Sequence, residues 1–212
     1  MTINILLTVA AYLLGSIPNA IWIGKSFYGV DVREHGSRNA GATNTLRVLG
    51  RRAALPVFIL DFLKGTAAVA LAWTAGYPNH SNQMDLLEMA LTGAAVMGHM
   101  FPVFAGFKGG KGVATLAGAV TAMQPLSVGL CFVIFCAVFI ITHYVSLSSI
   151  TAGVCFPFVL IFIVNVHNLP MVLFSTGVAA LLLWTHRKNI GRLLKGAETK
   201  THIFKSDKHT PL

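Results

Sequence analysis

Fifteen of the sixteen lysines and arginines fall in three segments, residues 25–52, 106–112 and 186–208, and Lys64 alone sits inside an apolar run. Between these segments the chain is apolar. A charged side chain is costly in hydrocarbon, so this segregation predicts membrane spans joined by basic loops. Composition agrees, with 55% hydrophobic and 11% charged residues, against the roughly 25% charged residues of a soluble domain. The first apolar run lacks a basic leader region and continues through Gly15-Ser16-Ile17-Pro18-Asn19 into more apolar chain, so it reads as a span and not as a cleaved signal. The net charge of +9 reads as inner-loop cations facing anionic lipid, not as a nucleic-acid surface. Cys131, Cys136 and Cys155 are odd in number and lack CxxC spacing, which argues against a disulfide framework or zinc site. No cluster has metal-ligand spacing, and no metal is expected.

The apolar runs place spans near 3–24, 53–75, 86–105, 112–123, 126–142, 150–164 and 169–185. The expected fold is an all-α integral membrane protein with about seven transmembrane helices. The run at 112–123 is too short to cross alone, since a crossing takes about 20 residues. It is expected to be a half-helix, or one arm of a hairpin with 126–142 turned at Gln124-Pro125, where proline removes a donor and restricts its predecessor. The connections near 76–85, 124–125 and 165–170 contain no Lys or Arg. Positive-inside then puts the N-terminus outside, the C-terminus in the cytoplasm, and all three basic segments on the cytoplasmic face. Residues 1–200 read as one multi-span domain and 201–212 as a basic cytoplasmic tail.

The basic segments also hold the polar residues suited to chemistry. Gly106-Phe107-Lys108-Gly109-Gly110-Lys111-Gly112 runs directly into an apolar helix. Glycines let backbone N–H groups approach an anion, a helix N-terminus adds its positive end, and Lys108 and Lys111 add charge. A flexible turn is the plainer reading. It is not a nucleotide-binding Gly-x4-Gly-Lys-Ser/Thr loop, because Ala105 stands at the first glycine and Gly112 at the hydroxyl position. Ser37-Arg38-Asn39-Ala40-Gly41-Ala42-Thr43-Asn44-Thr45-Leu46-Arg47 has no hydrophobic period and suits a tight loop rich in hydrogen bonds. Arg47 offers a planar fork for phosphate, with Ser37, Asn39 and Asn44 as its companions. Arg33, Arg51 and Arg52 read as solvated charges. His186 and Asn189, three apart, share a helical face. His186 fits three roles, general base, donor or interfacial charge, and a positioning donor is favoured. Glu198 lies among cations and reads as an internal ion-pair partner.

Asp61 and Lys64 sit inside the second span, three apart, and are expected to pair with each other or to reach the site from its inner wall. His99, at the inner end of the third span, is a candidate substrate contact. His80 through Asp85 matches a His-x4-Asp acyltransferase pattern, and Asn79-His80-Ser81 a glycosylation acceptor. Both fall in the loop assigned to the outside and carry little weight.

Seven motifs in register carry a resemblance. They are Gly15-Ser16-Ile17-Pro18, Gly36 to Asn44, Asp61-Phe62-Leu63-Lys64-Gly65, Gly98-His99-Met100-Phe101-Pro102, Phe107 to Thr115, Ser146-Leu147-Ser148-Ser149-Ile150 and His186-Arg187-Lys188-Asn189-Ile190. Together they resemble the bacterial acyl-phosphate:glycerol-3-phosphate acyltransferase family of the inner membrane over nearly the whole chain. The resemblance implies acyl transfer from acyl phosphate to the 1-hydroxyl of glycerol 3-phosphate, the first step of membrane phospholipid synthesis, with no cofactor. It implies catalytic roles for Ser37, Arg47, His186 and Asn189. It implies glycerol-phosphate binding by Gly106, Gly109, Gly110, Lys111 and Gly112, and a structural role for Glu198. The partners expected are the two substrates and the bilayer, with a soluble acyl-phosphate-forming enzyme as a candidate. Two other classes fit the same residues less well. A transporter would show an inverted repeat, and a lipid phosphatase would need a nucleophile or metal set.

Overall fold

The computed structural model of the chain describes residues 2–79 and 81–201. Among the described residues there is no strand. Ten helices follow in order: α1 (Thr2–Gly15), α2 (Asn19–Tyr28), α3 (Ala42–Leu49), α4 (Arg51–Ala70), α5 (Asn82–Met100), α6 (Val113–Met123), α7 (Pro125–Thr142), α8 (Val145–Phe158), α9 (Leu169–Thr185) and α10 (Arg187–Leu194). A 3-10 turn extends α4 to Ala75, another follows α5 at Val103–Ala105, and a π-helical turn extends α8 to Ile163. Among the described residues five units are long and apolar enough to cross a bilayer: Thr2–Tyr28, Arg51–Ala75, Asn82–Ala105, Pro125–Thr142 and Val145–Ile163. The 17 residues of α9 make a sixth when joined to α10, which bends away by 61°. The eleven residues of α6 span only about 16 Å. As the sequence implies, α6 turns at Gln124-Pro125 into α7, with Pro125 in its first turn.

The outward faces are strongly apolar. Ile141 is 80% exposed and Phe162 73%, as lipid-facing side chains require. Inside, backbones approach through glycine. A Cβ on Gly65 would lie 2.0 Å from the Thr115 carbonyl, and one on Gly118 would lie 1.9 Å from that of Phe62, which presses α4 against α6. Gly15 and Gly98 do the same for α1 and α5, at 2.0 and 2.2 Å from opposing carbonyl oxygens. Close backbone approach of this kind drives helix association where lipid is the competitor.

Two boundaries differ from the sequence expectation, for local reasons. The first span breaks at Ser16-Ile17-Pro18, where proline has no N–H to continue the ladder. The exposed Ile17 carbonyl accepts from Lys64 Nζ at 2.8 Å. The span expected from 150 begins at Val145 because its serines are satisfied. Ser148 and Ser149 donate to the carbonyls of Tyr144 and Val145 at 2.9 and 2.8 Å.

The basic segments meet at one end of the bundle, where residues 37–47, 111–114 and 186–198 line a common cavity. The cation-free connections meet elsewhere. Trp73, Asn79, Asp85, Gln124 and Met171 share a separate depression. His80 and the tail beyond Thr201 lie outside the described residues.

Candidate active site

The glycine loop does not serve the cavity as its composition suggests. After Pro102 the chain turns through Gly106 and Phe107, both at positive φ, and folds back on the end of α5. Gly109 N–H donates to Met100 O and Gly110 N–H to His99 O, each at 3.1 Å. These are carbonyls that a helix C-terminus leaves unpaired. A Cβ on Gly109 would sit 2.0 Å from His99 O, and one on Gly110 would sit 2.1 Å from His99 Nε2. Gly109 and Gly110 are therefore spent on packing against α5. Gly106 and Lys108 are exposed and outside the cavity wall. Only Lys111 and Gly112 line it, followed by Val113 and Ala114 at the α6 N-terminus, whose first N–H groups have no partner within their helix. Of the loop residues expected to bind substrate, Gly106, Lys108, Gly109 and Gly110 thus lie outside the cavity lining.

The first motif folds around Asn44, which is 1% exposed. Its Oδ1 accepts from Ser37 N–H at 2.8 Å and from Ser37 Oγ at 3.0 Å, and its Nδ2 donates to Val32 O and His35 O. Asn44 organises this loop, and although it lines the cavity its amide donors are taken up by Val32 and His35. Ser37, Asn39 and Arg47 line the cavity. Arg47 donates through one guanidinium nitrogen to Thr199 O at 3.3 Å. Its buried Nε has no partner among the described residues. Burial pulls the guanidinium pKa down, with Glu198 opposing, so an incoming anion relieves an unsatisfied buried donor.

Opposite stands a chain of polar groups from the third segment. Lys111 Nζ donates to Asn189 Oδ1. Asn189 Nδ2 donates to Glu198 Oε1 at 2.8 Å, Ser146 Oγ donates to the same oxygen at 3.0 Å, and Arg192 Nε reaches Oε2 at 2.6 Å. Burial alone would raise the Glu198 carboxyl, but these donors, Arg192 first, hold it below its usual value. Glu198 is thus the ion-pair partner expected, and it also fixes Asn189. Burial lowers Lys111 to about 8, with Arg192 and Arg47 adding to the effect and Glu198 opposing it. Asp61, the other carboxylate in the wall, is held by Lys64 at 2.8 Å and Asn19 at 2.9 Å. With both carboxylates bonded, the charge left for a ligand is that of Arg47 and Lys111.

His186 is 3% exposed. Its Nδ1 lies 2.9 Å from the Leu182 carbonyl. A carbonyl only accepts, so Nδ1 carries the proton, and in the neutral ring Nε2 offers a lone pair. Burial, with Lys111 nearby, lowers the ring to about 4, which keeps it neutral near pH 7. In that tautomer Nε2 is left as an acceptor, where the sequence alone favours a positioning donor.

Several contributors escaped sequence reasoning. Arg33 grips Asp31 at 2.7 Å and donates to Ala105 O at 2.9 Å, so it tethers the glycine loop. The Arg33 hydrogen bond leads the effects that drive the Asp31 carboxyl well below the usual carboxylate range. Ser146 and Arg192 were unassigned. The cavity, about 220 Å³, also continues into an apolar groove of about 210 Å³ between α6, α7 and α8. Phe58, Val113, Ala114, Phe135 and Ser149 belong to both walls. Nothing in the periodicity separates groove residues from lipid-facing ones. A cationic head compartment open to an apolar one suits an amphiphile bearing phosphate.

The glycerol-3-phosphate acyltransferase family profile matches residues 5–196. A glycerol-3-phosphate acyltransferase of Bacillus cytotoxicus is 41% identical over 98% of this chain and 100% of its own length. One from Listeria welshimeri is 44% identical over 94% and 98%. The crystal structure of PlsY (YgiH), an integral membrane glycerol 3-phosphate acyltransferase, in its glycerol 3-phosphate form superposes with a TM-score of 0.84. It has 39% identity, covering 94% of this chain and 96% of that one. A lysophosphatidic acid form of PlsY gives 0.81 at 37% identity, covering 95% and 97%. The helical membrane fold, the cationic cavity and these likenesses agree that the chain belongs to the glycerol-3-phosphate acyltransferase family and is a membrane acyltransferase.

Proposed function

We propose that this protein transfers a fatty acyl group from acyl phosphate to the 1-hydroxyl of glycerol 3-phosphate, on the cytoplasmic face of the bacterial inner membrane. The products are lysophosphatidic acid and inorganic phosphate. The observation that carries this reading is the shared wall of the two compartments, which brings a phosphate-seeking cavity and an acyl-sized groove to one point. In this reading Arg47 and Lys111 hold phosphate, with Ser37, Asn39 and the α6 N-terminus beside them, and the groove takes the acyl tail. His186 Nε2 accepts the hydrogen bond of the 1-hydroxyl. The hydroxyl oxygen attacks the acyl carbonyl carbon, and the new C–O bond forms as the bond to phosphate breaks. The electron pair leaves on phosphate, and the hydroxyl proton passes to His186 and then to the departing phosphate. An acyl phosphate is already activated, so transfer is direct and the protein supplies juxtaposition and charge stabilisation.

Purified protein in detergent, given glycerol 3-phosphate and acyl phosphate, should release phosphate and lysophosphatidic acid in equal amounts. Activity with acyl thioester and none with acyl phosphate would overturn the donor assignment. For orientation, an impermeant thiol reagent on intact cells should label Asn79→Cys and miss Lys108→Cys, both exposed positions, in a background lacking the three native cysteines. The reverse pattern would invert the topology.

A further inference from the structure

Beneath the glycine loop lies a buried polar cluster to which the chemistry above gives no role, although two of its members, Asp61 and His99, also line the cavity. Asp61 is 2% exposed, Lys64 6%, His99 6% and Thr115 0%. His99 sits at its centre and touches three other parts of the fold. Its Nδ1 is 3.2 Å from Thr115 Oγ1 in the first turn of α6 and 3.6 Å from Asp61 Oδ1 on α4. Its carbonyl, at the end of α5, accepts from Gly110 N–H at 3.1 Å. Its ring fills the space where a Gly110 side chain would begin. Asp61 is anchored in turn by Asn19, just past the break in the first span, and by Lys64. Lys64 also reaches the Ile17 carbonyl that this break exposes.

The consequence falls on Lys111. It lies between Gly110, which rests on His99, and Gly112, which opens the helix that His99 holds through Thr115. Arg33 holds the start of the loop through Ala105 O, and Asn189 holds the Lys111 ammonium across the cavity; between them the backbone that carries Lys111 from Gly110 into the α6 N-terminus rests on the His99 ring. Direct contact with substrate is not needed for His99 to matter.

We propose that His99, oriented by Asp61, is a positioning residue for the phosphate site. It sets the affinity for glycerol 3-phosphate by fixing Lys111 and the α6 N-terminus, and it takes no part in the acyl-transfer step. This rests on the reading of the cavity as a glycerol 3-phosphate site, but not on the identity of the acyl donor.

The test measures two quantities on purified protein in detergent: equilibrium binding of glycerol 3-phosphate by calorimetry without any acyl donor, and steady-state KM and kcat with acyl phosphate. Thr115→Val keeps the shape of the side chain and removes the hydroxyl. It should weaken glycerol 3-phosphate binding and raise its KM about fivefold, as the loss of one ordinary hydrogen bond does. The KM for acyl phosphate and kcat should change less than twofold. Thr115→Ser should restore most of the affinity. His99→Gln should raise KM for glycerol 3-phosphate more than tenfold with the same asymmetry. Equal losses in kcat and in both KM values, or a Thr115→Ser variant as defective as Thr115→Val, would overturn the proposal. If wild-type protein fails to bind glycerol 3-phosphate in the calorimeter, the cavity reading itself falls. If wild-type binds and the variants bind equally well, only the positioning role falls.

Discussion

Gly109→Ala and Gly106→Ala should behave very differently, although both glycines stand in one motif. At Gly109 a Cβ would meet His99 O at 2.0 Å, Pro102 Cδ at 2.6 Å and Met100 O at 2.9 Å. Two of these are backbone atoms, and ordinary contact begins near 3.4 Å, so the loop must lift from α5 by 1.4 Å at its closest point. The hydrogen bonds from Gly109 and Gly110 to Met100 and His99 then cannot both survive. At about 1 kcal/mol each their loss alone costs about 2 kcal/mol. Lys111 travels with the loop, and a displacement of about 1 Å costs on the order of a hundredfold in rate. We expect kcat/KM for glycerol 3-phosphate to fall about 100-fold, mainly through KM. At Gly106 nothing lies within 4 Å and only the positive φ of 63° penalises a side chain, by about 1 kcal/mol. The neighbouring Phe107 already tolerates φ 59°, so Gly106→Ala should lose less than tenfold. Initial rates against glycerol 3-phosphate at saturating acyl phosphate measure both, with thermal unfolding in detergent confirming that each variant is folded. Equal effects at the two positions, or a wild-type KM in Gly109→Ala, would refute the view that these glycines serve loop packing.

Arg47→Lys should lose most activity, because a lysine cannot reproduce the planar fork and its buried Nε–H, whereas Lys188→Ala, an exposed charge, should stay within twofold; comparable initial rates would remove the distinction. Glu198→Gln should move the alkaline limb of activity to lower pH, because Glu198 is what opposes the burial that lowers Lys111 to about 8, and an unmoved limb would sever that coupling. His186, lowered from 6.5 to about 4, favours the native state above pH 6.5, and this contribution, at most about 3 kcal/mol, is lost as pH falls from 6.5 towards 4. The melting temperature of wild-type protein should therefore fall more steeply over that window than that of His186→Asn, and parallel curves would contradict the buried neutral ring. Gly65→Ala should destabilise the protein by about 3 kcal/mol, at the upper end of overpacking costs, since its Cβ would lie 2.0 Å from the Thr115 carbonyl; an unchanged melting temperature would refute the close α4–α6 contact.

Much of this protein is legible in its sequence because hydrocarbon is an exacting solvent. It excludes charge, so the positions of fifteen of the sixteen lysines and arginines mark the loops, and it demands internally bonded backbone, so the apolar runs become helices. Pro125 marks a turn by chemistry local to proline, whereas the break at Pro18 inside the first apolar run shows only in the fold. Asp61 and Lys64 announce their pairing because neither can be left alone inside a span. What the sequence does not show is which way a polar group points. Asn44 and Asn39 are the same residue in the same motif and both line the cavity, yet the Asn44 amide is consumed by Ser37, Val32 and His35. Gly109 and Gly112 look alike in the loop, and only the position of the α5 carbonyls assigns one to packing and the other to the wall. His186 becomes an acceptor because the Leu182 carbonyl, one turn earlier, fixes its tautomer. The apolar groove exists only where α6, α7 and α8 stand apart, and a valine facing it has the same local signature as one facing lipid. Composition and spacing are set by the solvent each segment meets. The direction of each donor and the shape of each cavity depend on contacts between residues far apart in the chain, and those the tertiary structure alone decides.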